Sequence, residues 1–94
     1  MIFVIKNKKY DTDKMELISE KCECTYDSSL FGSPVIYNAH DVELYKSQKG
    51  AWILKYSSSY NIYGKLLSEK EAKSLLMNYD LKKYEEIFGE LEEG

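Results

Sequence analysis

The C-terminal third of the chain, residues 68–94, carries two helix start signals and one stop signal. Ser68 precedes Glu71 by three residues. At this spacing the hydroxyl accepts a hydrogen bond from the Glu71 amide and the carboxylate accepts one from the Ser68 amide. Asp80 can cap a second helix, and Gly89 can end it because glycine readily adopts a positive φ. The sequence therefore predicts two consecutive helices at this end of the chain.

Both predicted helices have apolar residues at helical spacing. Because the rest of the chain is typical of short strands, we expect the helices to cover a sheet, with the first helix packed against the face that carries Trp52. The residues expected to face the sheet are Ala72, Leu75 and Leu76 in the first helix and Leu81, Tyr84, Ile87 and Phe88 in the second.

A β-hairpin is the clearest pattern in the first two thirds of the chain. Residues 42–46 alternate between apolar and polar side chains, residues 48–50 form a turn that ends in glycine, and residues 51–56 return. Residues 27–38 include the only proline and several serines, and they predict the longest loop. Further strands are predicted at Ile2–Ile5, at Tyr10 and at Ile62–Leu67, and residues 15–26 predict a strand or a helical turn leading into one.

These elements predict one α+β domain over residues 1–94. We expect a small antiparallel sheet of four to six strands with two C-terminal helices packed on one face. No apolar run approaches the roughly 18 residues that a membrane span needs. The first five residues lack the charged start and cleavage site of a signal peptide and are typical of a strand. We therefore expect a cytoplasmic protein with no membrane contact.

The charge of the chain limits its possible partners. All thirteen basic residues are lysine, and sixteen acidic residues give a net charge of −3. Without arginine there is no bidentate contact to guanine edges, so the sequence opposes specific reading of DNA. The net negative charge also opposes phosphate binding, including single-strand binding through stacked tyrosines. We expect no direct binding to duplex DNA.

Acidic side chains are concentrated near the C-terminus. Glu85, Glu86 and Glu90 form the centre of this group, and Glu92 and Glu93 extend it. One interpretation is an ordinary solvated helix face followed by a frayed end. The other is an acidic surface that occupies a basic, nucleic-acid-binding surface of a partner protein.

The residue types that usually carry catalysis or bind metals are sparse. Cys22 and Cys24 are the only cysteines and His40 is the only histidine, too few for a four-ligand zinc site within one chain. The two thiols are typical of small buried hydrophobic side chains, with a reversible disulfide or an intermolecular zinc site as alternatives. His40 and Asp41 are adjacent and would point to opposite faces of a strand. We expect no catalytic residue, no metal and no cofactor.

Nine tyrosines in 94 residues are more than one small core needs. Tyrosine supplies a large, rigid contact area and is enriched at protein interfaces, although an AT-rich genome would raise its frequency as well. Tyr56, Tyr60 and Tyr63 flank a serine-rich loop. We expect these three side chains to be exposed and to form a partner-binding surface together with Glu85, Glu86 and Glu90.

Four motifs in a fixed order carry a resemblance to a known family. They are KYDT at residues 9–12, LYKxxKGxWxL at 44–54, LSxxEA at 67–72 and YEEIFGE at 84–90. Together they resemble a family of small proteins carried by prophages and integrative conjugative elements of low-GC Gram-positive bacteria. The resemblance covers most of the chain outside residues 19–40. Members often have a glycine-rich stretch after the tryptophan strand, where this chain has Ser57-Ser58-Ser59-Tyr60.

The resemblance implies a non-enzymatic protein of a mobile genetic element. Some similar small proteins are anti-CRISPR inhibitors of type II effectors, so the resemblance implies a protein partner such as Cas9 or its guide complex in a bacterial host. The alternative is a structural or regulatory accessory protein of a phage or conjugative element that binds another protein.

Overall fold

A four-stranded antiparallel sheet with two helices packed against it forms the centre of the fold. The computed structural model describes residues 1–30 and 32–94, with side chains described at all of these except 28–30. The described residues form eight strands, two α-helices and a short 3-10 helix at Thr12–Lys14, which confirms the predicted α+β class. The elements are β1 (Ile2–Ile5), β2 (Lys8–Asp11), β3 (Glu16–Ser19), β4 (Thr25–Leu30), β5 (Ser33–Asn38), β6 (His40–Lys46), β7 (Trp52–Ser57), β8 (Ile62–Leu67), α1 (Glu69–Tyr79) and α2 (Leu81–Phe88).

The four-stranded sheet has the order β3-β6-β7-β8, and the remaining strands pair as β1–β2 and β4–β5. The predicted hairpin is confirmed as β6–β7, with Leu44 opposite Leu54. Gly50 has a φ of 88° in its turn, and the Ser47 amide donates to the Ala51 carbonyl at 2.8 Å. The following strand, β8, spans the predicted residues 62–67.

One face of this sheet is covered by the helices. Trp52 and Leu54 project from it, because alternate residues of a strand share a face, and both are buried together with Ala72 and Leu76 of α1. The Phe88 ring of α2 lies 6.1 Å from the Trp52 ring. The predicted packing of the first helix against Trp52 is confirmed.

The other face of the sheet is contacted by the β1–β2 hairpin. Ile53 points away from the helices and is fully buried, with Leu66 opposite it on β8. Gly64 shares this face, and the Phe3 ring lies over it so closely that an added Cβ would be 2.5 Å from the ring. The absence of a side chain at Gly64 therefore lets the N-terminal hairpin approach the sheet.

The helix ends follow the predicted capping pattern. The Glu71 amide donates to the Ser68 hydroxyl at 3.1 Å, and the Ser68 amide donates to the Glu71 carboxylate at 3.0 Å. Asp80 caps α2 by accepting from the Lys83 amide, and Gly89 follows α2 with a φ of 100°. The prediction for Leu81 is wrong: its side chain is 46% exposed, because it lies in the first turn of α2 and outside the buried cluster.

The prediction of a long loop at residues 27–38 is wrong. Most of this segment belongs to the antiparallel hairpin β4–β5, in which Tyr26 is opposite Tyr37. Turn-forming residues are concentrated here, but β4 reaches Leu30 and β5 begins at Ser33, and Phe31 lies outside the described residues. Proline fits because it can occupy an edge strand, where its missing amide hydrogen faces away from the partner strand.

The region between residues 15 and 26 combines a short strand with an irregular segment. β3 ends at Ser19, and a register shift between Leu17 and Ser19 explains why the sequence does not alternate strictly there.

Neither helix of the described chain is long and apolar enough to cross a membrane.

Candidate functional site

The loop between β7 and β8 presents the three tyrosines predicted to bind a partner. Tyr56 and Tyr63 are opposite each other on the two strands, and their ring centroids are 5.5 Å apart. The Ser58 amide donates to the Asn61 carbonyl at 2.8 Å, and the Asn61 amide donates back to the Ser58 hydroxyl at 3.1 Å. These bonds fix a tight loop, and Tyr60 projects from it into solvent.

The three rings differ in exposure. Tyr60 is 95% exposed and Tyr63 is 42% exposed, as the sequence predicts. The prediction that Tyr56 is exposed is wrong: its side chain is half-buried because it packs against the hydrophobic core, and this burial raises the pKa of its phenol. Tyr56 therefore supports the position of the Tyr63 ring, and the accessible contact area comes mainly from Tyr60 and Tyr63.

The three predicted acidic residues lie on α2 and just after it. Together with Leu81 and Lys82 they line a shallow depression. Glu86 forms an ion pair with Lys83 at 3.2 Å, and the Glu85 carboxylate accepts from the Leu91 amide at 3.3 Å. Glu90 is exposed beyond the end of the helix. The carboxylates thus share one surface, but one of them is partly neutralised by lysine.

The tyrosine loop and the acidic surface do not form one continuous patch. Phe88, which lies between Glu85 and Glu90 in the sequence, packs against Trp52 at the start of β7. Tyr56 lies four residues further along β7, a distance of about 13 Å for an extended strand. The two predicted halves of the binding surface therefore lie toward opposite ends of the sheet.

The cysteines and the histidine lie in ordinary structural positions. Cys22 is buried, Cys24 is half-buried, and both thiols are free. Burial is the main cause that raises the pKa of each thiol, which opposes formation of the reactive thiolate. His40 is exposed at the start of β6. No group of three or more potential ligands close enough to hold a metal ion occurs among the residues that the structure describes.

A positively charged groove was not predicted from the sequence. It lies between the β1–β2 hairpin and the β6–β7 turn, and four lysines line it. Asp11, the one carboxylate of its lining, is 3.7 Å from the N-terminal amine, and the described lysines of the groove form no ion pair. The four lysines that line the groove are Lys8, Lys9, Lys14 and Lys49. Lys8 and Lys9 belong to β2, Lys14 follows β2, and Lys49 lies in the β6–β7 turn. No local pattern in the sequence shows that these three segments meet.

The β4–β5 hairpin, which was not predicted from the sequence, exposes aromatic and apolar side chains. Tyr26 and Tyr37 stack across it with ring centroids 5.6 Å apart. Every residue of β5 is exposed, including Val35 and Ile36.

Comparison of the chain with protein-family models, curated proteins and solved structures gives no match.

Proposed function

We propose that this protein is a non-catalytic protein-binding module that uses the acidic surface of α2 to engage a basic surface on its partner. The observation that carries the proposal is the concentration of charge at this end of the molecule. Residues 80–94 contain six acidic residues and two lysines, whereas the rest of the chain is almost balanced. Glu85, Glu86 and Glu90 share the depression beside Leu81.

An acidic surface of this kind is suited to compete with nucleic acid. Complementary potentials accelerate encounter and select the partner, and like charges facing each other cost several kcal/mol. Leu81 adds an exposed apolar side chain beside the carboxylates. The tyrosine loop supplies a second contact in this proposal, because the Tyr60 ring is accessible and aromatic side chains often dominate binding energy.

The resemblance of the four sequence motifs to the mobile-element family supports a partner class for this proposal. The protein acts as an anti-CRISPR inhibitor of a type II effector of the Cas9 class, in the cytoplasm of a bacterial host, by covering a basic guide- or DNA-binding channel. The alternative is an accessory protein of a mobile element that applies the same acidic surface to another basic protein.

The proposal is tested by titrating the protein against a guide-loaded type II effector and measuring DNA cleavage. A binding module should saturate inhibition at a fixed stoichiometric ratio. Reversal of Glu85, Glu86 and Glu90 to lysine should weaken inhibition, because positive charges would then face the basic channel. The matched control reverses three exposed acids elsewhere and changes the net charge equally. These are Glu16, Glu20 and Glu23.

The outcomes separate the alternatives. Equal loss in both triple variants would attribute the effect to net charge, and full inhibition after reversal on α2 would remove the acidic surface from the mechanism. Substoichiometric inhibition that is lost in His40→Ala would indicate catalysis. No inhibition of any type II effector would leave the accessory protein. Far-UV circular dichroism checks that each variant is folded.

A further inference from the structure

The groove between the β1–β2 hairpin and the β6–β7 turn collects hydrogen-bond donors from three segments of the chain. Lys8 and Lys9 are adjacent on β2 and point to opposite faces of the strand, yet both line the groove. The groove therefore runs along the outer edge of β2, whose other edge pairs with β1. Lys14 lines it from the 3-10 helix after β2, and Lys49 lines it from the β6–β7 turn. Four ammonium groups thus share one concavity.

Backbone amides add to these donors. The Gly50 amide closes the β6–β7 turn by donating to the Ser47 carbonyl at 3.0 Å. Gln48 and Lys49 are the two central residues of this turn, and neither of their amides donates a hydrogen bond within the described part of the chain. Both residues line the groove, so their amides can donate to an anion bound there.

The negative charge around the groove is already compensated. The Asp11 carboxylate accepts from the Asp13 amide at 3.0 Å and lies 3.7 Å from the N-terminal amine, which also pairs with Asp13 at 3.1 Å. Glu16, which shares a neighbouring depression with Lys14, is opposite Lys46 on the adjacent strand. The groove lysines therefore present uncompensated positive charge, and a cleft lined by one sign of charge concentrates its field on a ligand.

We propose that this groove binds a linear triphosphate group, either free as inorganic polyphosphate or carried by a nucleotide. A triphosphate concentrates several negative charges and many acceptor oxygens in a short chain, which matches ammonium groups and amides from three segments. Lysine binds phosphate as a point charge, whereas the paired oxygens of a carboxylate are best matched by arginine, which this chain lacks. The groove has a volume of about 1130 Å³, slightly above the roughly 300–1000 Å³ of typical small-molecule sites, so it admits such a ligand.

A compact anion fits the charge of the whole molecule better than a nucleic acid does. The net charge is −3, and the acidic surface of α2 would repel a long polyanion that extends beyond the groove. Salt screens such repulsion beyond about 8 Å at physiological ionic strength, so a ligand held within the groove is governed mainly by the lysines around it. No residue of the acidic surface is part of the described lining of the groove, and the proposal is therefore independent of the proposed function.

The proposal is tested by isothermal titration calorimetry with sodium tripolyphosphate and with ATP, at about 150 mM salt and without divalent metal. Each anion should bind at a single site. Lys9→Gln combined with Lys49→Gln removes one ammonium group from each wall and should weaken binding by roughly tenfold or more. Lys21→Gln combined with Lys70→Gln is the matched control, because both lysines are exposed, lie outside the groove and change the net charge equally. It should leave the affinity unchanged.

The two anions distinguish the sources of the triphosphate. Equal affinities support the proposal with the phosphate chain alone as the ligand, and tighter binding of ATP supports it with a nucleotide as the ligand. Ile2 and Met15 line the groove and would contact the nucleobase. In both cases, amide chemical shifts in heteronuclear NMR spectra should change first at Gln48, at Lys49 and along β2.

Three results would overturn the proposal. The first is the absence of saturable binding of either anion, and the second is an equal loss of affinity in the two double variants. The third is a single-stranded DNA oligonucleotide that binds more tightly than tripolyphosphate and depends on Lys9 and Lys49, because the ligand would then be a nucleic acid. Circular dichroism checks that each variant is folded.

Discussion

Single side chains fix where the C-terminal helices begin and how they are attached to the sheet. Hydrogen bonds from Ser68 hold the pKa of the Glu71 carboxyl below its ordinary value, which reflects the reciprocal bonds of the cap. Asp80 has two roles: one carboxylate oxygen caps α2, and the other accepts from the Ser19 hydroxyl of β3 at 2.7 Å. The start of α2 is thereby tied to an edge strand 61 residues away in the sequence.

The cap at Ser68 gives the prediction at this scale. Ser68→Ala removes the hydroxyl that accepts from the Glu71 amide and should lower the free energy of unfolding by about 1 kcal/mol. Ser74→Ala is the control, because Ser74 is exposed within the same helix and alanine has the higher helix propensity. Chemical denaturation measures both. An unchanged midpoint in Ser68→Ala would show that the cap does not stabilise α1.

The elements of this fold differ in how well the sequence predicts them. The helix caps, the β6–β7 turn and β8 were predicted because their signals are local: a capping box, a turn glycine and alternation. β4 and β5 were not, because β5 is exposed on both faces and therefore shows no alternation of apolar and polar residues. The exposure of Tyr60 was predicted from its loop. The separation of the tyrosines from the acidic surface was not, because it depends on how α2 crosses the sheet.

The contact between β1 and β8 gives a prediction at the scale of elements. Gly64→Ala places a Cβ against the Phe3 ring, so the N-terminal hairpin must shift, and the free energy of unfolding should fall by roughly 1–3 kcal/mol. The same change in a Phe3→Ala background should be nearly neutral, since the ring is gone. A double-mutant cycle of denaturation midpoints measures this coupling. Gly94→Ala is the control, because an added Cβ there would meet nothing within 4 Å. Additive effects of the Phe3 and Gly64 substitutions on the free energy of unfolding would contradict the contact.

The whole molecule combines a buried central sheet with peripheral surfaces of different character. The acidic surface of α2 contrasts with the groove of four lysines beside the β1–β2 hairpin, and the uncharged β4–β5 hairpin is separate from both. The protein therefore offers several kinds of surface on one small framework. The central strands β6 and β7 hold them in place.

This organisation predicts a gradient of local stability. Backbone amides of β7 should exchange with solvent most slowly, because Trp52, Ile53 and Leu54 are buried and β7 is paired on both sides. Amides of β5 should exchange faster by many-fold in dilute solution, since local opening there exposes little apolar surface. Hydrogen exchange followed by mass spectrometry compares the two. Equal protection of β5 and β7 would contradict the gradient.

The position of Trp52 makes unfolding of this protein readable by fluorescence. It is the only tryptophan and is 2% exposed. The Lys46 ammonium lies 5.1 Å from its ring centroid, and the Phe88 ring centroid lies 6.1 Å away. Its emission therefore reports whether α2 remains docked on the sheet. Tyr60 and Tyr63 lie at the far end of β7, so a partner bound there leaves the environment of the indole unchanged. A shift of the emission spectrum on adding a partner would indicate contact at α2. The emission spectrum of each variant also shows whether that variant has kept its core.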